Sequence, residues 1–436
     1  MITRRGFIST TGLAGVAAAV PAISRSREAE AQEGLPALDR PGGSPDAVAR
    51  DEAYWKRVSA HYRIGTGYTN LEAGYWGMMA VPVLARYHAH IDRVNRENSY
   101  YARREYEKDL TAARERVARF VGAQPSEVAF TRGATEALQR LIIQYQPVQA
   151  GDAVIYADLD YSSMQLAMNA LAAARGATVV KFQLPEPITR AAILAEYARV
   201  LETPRARLLL LTHLNNKTGL IIPVRDIVAM AKAKGVDCIV DAAHSFGQCD
   251  LRLADLGADF VGLNLHKWLG APVGAGLMYI REGRLGDIGP MLGDEGPANR
   301  IDSKIHTGTA SFATFLTVPT AIDFHEAVGA PHKAARLRYL RDRWVKAVRG
   351  TRGIDILTPD EAESVAAITS FRLHGKTGRA ENQALVAELL DRYGIFTVWR
   401  TGVAKGDCVR VTPALYNTPA DVEKLASALK DLAARG

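Results

Sequence analysis

Cysteine is scarce in this chain: three in 436 residues, Cys238, Cys249 and Cys408, with no close CxxC pair. That excludes a disulfide-built scaffold and a thiolate metal centre of ordinary spacing, so no metal is expected and the thiols are read as reduced or buried. Charge of one sign is not concentrated either. The formal net charge of +7 is diluted along the chain, without a dense Lys/Arg cluster beside aromatic platforms, and nucleic-acid binding is not expected. Low-complexity tracts are missing, and the one sustained apolar run lies at the N-terminus. What remains is 48% hydrophobic and 23% charged, a globular balance, over a length that buries a large core and holds more than one domain.

The N-terminus reads MITRRGFISTTGLAGVAAAVPA. Arg4 and Arg5 precede an apolar run too short for a membrane span, followed by small and polar residues, which marks a targeting segment. Thr3, Arg4, Arg5, Gly6, Phe7 and Ile8 resemble the core of a twin-arginine export signal, a route that carries proteins folded around a cofactor. The expectation is a signal at residues 1–31, cleaved near Ala22 or between Ala29 and Gln32. Export machinery would be a partner, the periplasm the destination, and no stable membrane span would remain.

Residues 32–69 form a connector with a helical run, VARDEAYWKRVSAHY, at 48–62. Glu72, Ala73 and Gly74 read as a turn. The Tyr75-Trp76 pair beyond it either lines a substrate pocket or fills a seam, and Pro82 stands near a helix start. Residues 103–120 read as an amphipathic helix with a solvated face. Seven apolar runs then follow at 127–131, 153–157, 178–182, 207–213, 237–241, 260–264 and 276–280, with helical segments between most of them. Runs that do not alternate cleanly predict an α/β fold with a mostly parallel seven-stranded sheet covered on both faces. From about Phe324 the pattern shifts to a long helix, short strands and a final helix. A smaller α+β domain over 324–436 is expected beside a large domain over 70–323.

Ligand groups in such a sheet gather beyond the carboxyl ends of the strands. Two runs end in polar residues that packing does not explain: Asp241 with His244, then Asn264, His266 and Lys267. An acid 26 positions before a lysine suits a site that holds an aromatic nitrogen at one end of a ligand and bonds covalently to the other. Pyridoxal phosphate is such a ligand. Gly133, Ala134 and Thr135 open a helix after the first run, where backbone N–H groups meet a phosphate, although Thr before Glu is also an ordinary cap. Tyr161 stands where its ring could stack on a planar cofactor or pack in the core. Asn216 could reach a ring oxygen or a substrate carboxylate, or serve only as part of a turn.

The ordered set TRGATEA, THLNNKTG, DAAHSFG, NLHKW, HTGTAS and VRVTPALYNT resembles the class V aminotransferase family of fold-type I pyridoxal-phosphate enzymes, from about residue 70 to the C-terminus. That family includes cysteine desulfurases and isopenicillin N epimerase. The resemblance implies Lys267 as the Schiff-base lysine, Asp241 as partner of the pyridinium nitrogen and His244 as a contact of the ring hydroxyl. It puts Tyr161 at the stacking position, where desulfurases usually carry histidine, and Ala134, Thr135, Asn264 and His266 at the phosphate. Gly308 and Thr309 would reach the phosphate of a partner subunit, giving a homodimer with a shared active site. Arg410 matches the arginine that grips the substrate carboxylate in a fork. Tyr75, Trp76 and Asn216 would face the substrate, while Arg372 is structural or at the pocket edge.

The cofactor leaves the reaction open. A desulfurase needs a nucleophilic cysteine on a mobile loop upstream of the carboxylate arginine, and none lies between Cys249 and Cys408. Transamination needs only Lys267 to move a proton. Epimerisation needs a second acid or base from Tyr161, Tyr75 or His244. The expected activity is a periplasmic aminotransferase acting on an amino acid or an amino-acid-containing metabolite such as a siderophore precursor. An isopenicillin N epimerase-like racemase or a C–S lyase is the alternative.

Overall fold

The computed structural model describes residues 37–294, 296–305 and 308–435. The expected export signal, its twin arginines and both cleavage positions lie outside the described residues, as do His306 and Thr307 of the HTGTAS motif. Among the described residues no helix is long and apolar enough to cross a membrane.

The seven apolar runs form one sheet: β1 (Val128–Thr131), β2 (Ala153–Ala157), β3 (Thr178–Phe182), β4 (Ala206–Thr212), β5 (Asp237–Asp241), β6 (Phe260–Asn264) and β7 (Gly276–Ile280). The spatial order is β1-β7-β6-β5-β4-β2-β3, with only the two pairings of β7 antiparallel. Double-sided burial explains the apolar runs of every strand except the largely exposed edge strand β3. In β4, Leu208 and Leu210 face one cluster with Ile239, Phe260 and Met278, while Leu209 and Leu211 face another with Val240, Val261 and Leu277. Helices α1 (Val81–Arg104) and α2 (Tyr106–Val121), and α3 (Ala134–Ile143) and α4 (Ser162–Arg175), contribute to these layers.

A four-stranded antiparallel sheet, ordered Val398–Arg400, Cys408–Val411, Thr369–Leu373 and Ile354–Ile356, carries a third core around Trp344, Phe371 and Leu429. Leu71, from the N-terminal side, is part of that core. The segment before α1 is thus stitched to the C-terminal strands: Thr69–Asn70 pairs with Ile395–Phe396, and Glu72 bridges to Thr412.

Helix ends depart from the sequence reading at three places. The run at 48–62 narrows to a helix over Glu52–Ser59, because the Asp51 side chain accepts the Tyr54 N–H and starts the turn there, while Val48 ends a short helix before it. The helix expected at 103–120 bends at Glu105, φ −123°, which separates α1 from α2. Buried Tyr101 then donates across the bend to Asp109 Oδ2 at 2.8 Å. Position 324 falls inside α5 (Phe312–Val328), and the chain turns instead at Gly329, φ +85°, before α6 (Ala330–Val348).

Candidate active site

The chemistry-bearing residues leave the sheet at the carboxyl ends of adjacent parallel strands. Asp241 ends β5 and is 4% exposed; its Oδ1 accepts the Ala243 N–H at 2.9 Å. Burial pushes its carboxyl up from the ordinary value, against the Ala243 N–H and the Lys267 amine, which both pull it down. It forms no ion pair among the described residues. Such a carboxylate is costly alone and suits a cationic ring nitrogen.

Lys267 lies three residues past the end of β6, in the turn before β7. Its Nζ is 2.9 Å from His244 Nε2, and the Trp268 indole N–H donates to His244 Nδ1 at 3.4 Å. An indole only donates, so Nδ1 carries the lone pair and Nε2 the proton of a neutral ring. In that arrangement the amine facing the proton accepts, which only its neutral form can do. Electrostatics agree: burial drives Lys267 down to about 8, partly offset by Asp241, and drives His244 well below its usual range.

The anion end is built where α3 meets the sheet. The turn is tightly packed at two glycines: a Cβ on Gly133 would crowd Asn264 Oδ1 at 3.2 Å and His266 Cε1 at 3.3 Å, and one on Gly276 would meet the Gly133 Cα at 2.5 Å. Asn264 does not wait for a ligand. Its Oδ1 accepts the Ala134 N–H at 2.8 Å, so the Ala134 backbone expected at a phosphate is already engaged. The exposed Thr135 and the next N–H of the first turn remain, since helix geometry gives them no internal partner. His266 donates from Nδ1 to the Ala275 carbonyl at 2.7 Å. It therefore offers an anion a second donor only as imidazolium, a form that an adjacent phosphate would favour.

The opposite wall departs from expectation. Arg410 is fully buried, but its fork is filled: Nη2 donates to Glu72 Oε1 at 2.5 Å and Nη1 to the Asn216 carbonyl at 2.9 Å. A buried guanidinium without a carboxylate would be destabilising, and the turn residue Glu72 supplies one. Asn216 therefore contributes its backbone there, while its side-chain Oδ1 has no partner. Arg372 is structural, paired with Glu186 at 2.7 Å. Tyr161 is 37% exposed at the start of α4, beside the Asp158–Asp160 turn that Lys217 ties to the Gly402 carbonyl. Tyr75 and Trp76 are exposed and pack edge to face at 4.9 Å. They sit between Gly74, whose Cβ would be 2.5 Å from Arg410 Nη2, and Gly77, whose Cβ would be 1.8 Å from the Lys267 carbonyl oxygen. That places the aromatic pair on the rim above Lys267 and Arg410. Gly308 and Thr309 are exposed and make no hydrogen bond to this cluster among the described residues.

Sequence reasoning missed Glu72, Arg400, Trp268 and Gly77. Glu72 looked like part of a turn, and the only available cue was its acid among apolar neighbours in NLEAG.

Residues 81–425 match the family described as Aminotransferase class-V. The chain is 31% identical over 396 residues to isopenicillin N epimerase of Amycolatopsis lactamdurans, covering 87% of this chain and 98% of the relative. The chain belongs to the class V aminotransferase family. Isopenicillin N epimerase of Streptomyces clavuligerus is 28% identical, with the same coverage of 87% and 98%. In fold, the cysteine desulfurase CsdA of Escherichia coli superposes with a TM-score of 0.74 at 22% identity, covering 87% of this chain and 98% of that one. Enzymes of the class V family bind pyridoxal 5′-phosphate, and the residues here fit it: a buried acid without an ion pair among the described residues, a buried lysine whose amine is brought down to about 8, and a glycine-cleared helix start.

Proposed function

We propose that this class V enzyme is an aminotransferase for an amino acid or an amino-acid-containing metabolite, with Lys267 as the group that moves the substrate Cα proton. The observation that carries the reading is the buried Lys267 amine, lowered to about 8, at 2.9 Å from His244 Nε2. A base must be unprotonated before it can act, and burial, which brings this amine down to about 8, makes the unprotonated form accessible near neutral pH. Bound at this site, pyridoxal phosphate supplies the electron sink for the charge left on Cα. Asp241 holds the ring-nitrogen end, His244 orients the amine and the ring hydroxyl, and Thr135 with Asn264, His266 and the α3 N–H groups holds the phosphate. Tyr161 covers the ring face, while Tyr75 and Trp76 exclude water from the mouth. One lysine suffices for transamination, because the proton it removes is returned along the same face.

A thiol-based reaction is disfavoured by the cysteines. Cys408 is buried with its thiol pushed up to about 12, and burial does the same to Cys249. Epimerisation is the second reading. It is supported by the full-length similarity to isopenicillin N epimerases and by the exposed Tyr161 hydroxyl as a second proton donor. Incubation with amino acids in deuterated water separates the two. A keto acid with aminated cofactor supports transamination; racemised, deuterated amino acid without keto acid overturns it in favour of epimerisation.

We also infer export by the twin-arginine route to the periplasm and a homodimer in which Gly308 and Thr309 complete the partner's phosphate site. Loss of periplasmic protein in an Arg4→Lys, Arg5→Lys variant would support export. Full cofactor occupancy in an isolated monomer would contradict the shared site.

A further inference from the structure

Two turns pack against each other beneath the reacting amine. One follows β5 and carries His244; the other follows β6 and carries Lys267 and Trp268. Their approach is close: Gly247 has φ +75°, and a Cβ on it would stand 2.9 Å from the Leu269 nitrogen and 3.1 Å from the Trp268 carbonyl carbon. The His244 main chain is fixed by Gln248, whose Nε2 donates to the His244 carbonyl at 2.8 Å while its Oε1 accepts the Ala367 N–H at 2.7 Å. The His244 ring is fixed separately, between the Trp268 indole N–H on Nδ1 and the Lys267 amine on Nε2. Trp268 is itself anchored, with its side chain in the core cluster of Tyr54, Leu214 and Val328. Lys333 of α6 donates from Nζ to the Trp268 carbonyl, and its other neighbour is His325 Nδ1 at 3.4 Å. An amine buried for the sake of a carbonyl is costly to keep. That carbonyl belongs to the residue next to Lys267.

We propose that Trp268 is a positioning residue for Lys267: its indole N–H keeps the His244 lone pair on Nδ1 and so turns Nε2–H toward the amine, while Lys333 holds the indole there through the Trp268 carbonyl. An Nε2–H donates to a neutral amine and opposes an ammonium, whereas a lone pair on Nε2 would bind the ammonium. The nitrogen that carries the ring proton therefore decides which form of Lys267 is favoured. Without the indole the ring is free to move its proton to Nδ1, and the charged amine gains an acceptor. The surrounding charges stay as they are. Lys267 faces Asp241 from β5, Glu72 from the segment before α1, and Arg400 and Arg410 from the C-terminal strands; His244 faces Lys267, both arginines and His266. Removing an uncharged indole alters none of them. The inference rests on Lys267 being the base of the proposed function, and not on which reaction follows.

The test is Trp268→Phe, which keeps an aromatic ring and removes the N–H. Nitrogen-15 spectra of histidine-labelled holoenzyme, with the His244 signals identified by their loss in His244→Phe, should show the proton on Nε2 in the wild type and a loss of that preference in the variant. In the cofactor-free protein the Lys267 midpoint, read by competitive acetylation, should rise by about one pH unit. That is a tenfold change in proton affinity, the scale of one charge-assisted hydrogen bond. Water admitted beside the smaller ring would also raise the midpoint, so the substitution is repeated in His244→Phe, where it is expected to move nothing. Lys333→Met keeps the indole and frees its carbonyl. It should shift the ring proton and the midpoint in the same direction by less, and it stands in if Trp268→Phe does not fold. A wild-type proton on Nδ1, an unmoved midpoint in either variant, or an equal shift with and without His244 overturns the proposal. No turnover is measured, so an enzyme that transaminates no amino acid would sink the proposed function and leave this inference standing.

Discussion

Lys267 in the cofactor-free protein is expected to titrate near 8 rather than at the ordinary lysine value of 10.5. That difference is worth about 3.4 kcal/mol, and its largest source is burial of the amine, with Asp241 pulling the other way. At pH 7.5 roughly a quarter of the amines would be neutral, against about one in a thousand for an unperturbed lysine. Competitive acetylation by trace anhydride across a pH series, read by mass spectrometry on the Lys267 peptide against exposed Lys430, measures the midpoint directly. Asp241→Asn should move the midpoint lower still, because the anion that favours the charged amine is gone. A midpoint near 10.5, or an upward shift in Asp241→Asn, would refute the argument that burial prepares this base.

Other sites give independent tests. Lys333 is buried with only the Trp268 carbonyl and His325 Nδ1 as partners, and burial lowers it to about 7. Between about 7 and 10.5 the unfolded chain binds this proton and the folded chain does not, so stability should rise with pH by up to about 1.4 kcal/mol per pH unit. Lys333→Met should flatten that slope in denaturant titrations between neutral pH and about 9. Glu186→Ala strands the buried Arg372, and urea unfolding should show a loss of about 3 kcal/mol, less if the Asp407 and Gly406 carbonyls hold the guanidinium. Gly77→Ala puts a Cβ into the Lys267 carbonyl, so the variant should lose about 2 kcal/mol or more of stability, or retain cofactor poorly on gel filtration.

The parts of the fold that came through from sequence alone are those governed by local pattern. Each of the seven strands of the main sheet was marked by an apolar run, and all but the largely exposed edge strand β3 are buried on both faces, where no polar alternation blurs the run. Its flanking polar residues were conspicuous for the same reason: Asp241, His244, Asn264, His266 and Lys267 interrupt apolar chain at strand ends. Helix ends were less legible. The bend at Glu105 is bridged by Tyr101 with Asp109, a contact that no periodicity encodes, and α5 runs through Phe324 to end only at Gly329.

What the sequence determined was therefore the sheet, the cofactor family and the clustering of Asp241, His244 and Lys267, because these are set by short stretches whose spacing is itself the signal. Tertiary structure alone decided the charge of the wall around Arg410. Glu72 and Arg410 are 338 positions apart, and a turn glutamate becomes the partner of a strand arginine only because Thr69–Asn70 is stitched beside Ile395–Phe396. A buried cation demands an anion, but the sequence does not say which anion the fold will bring.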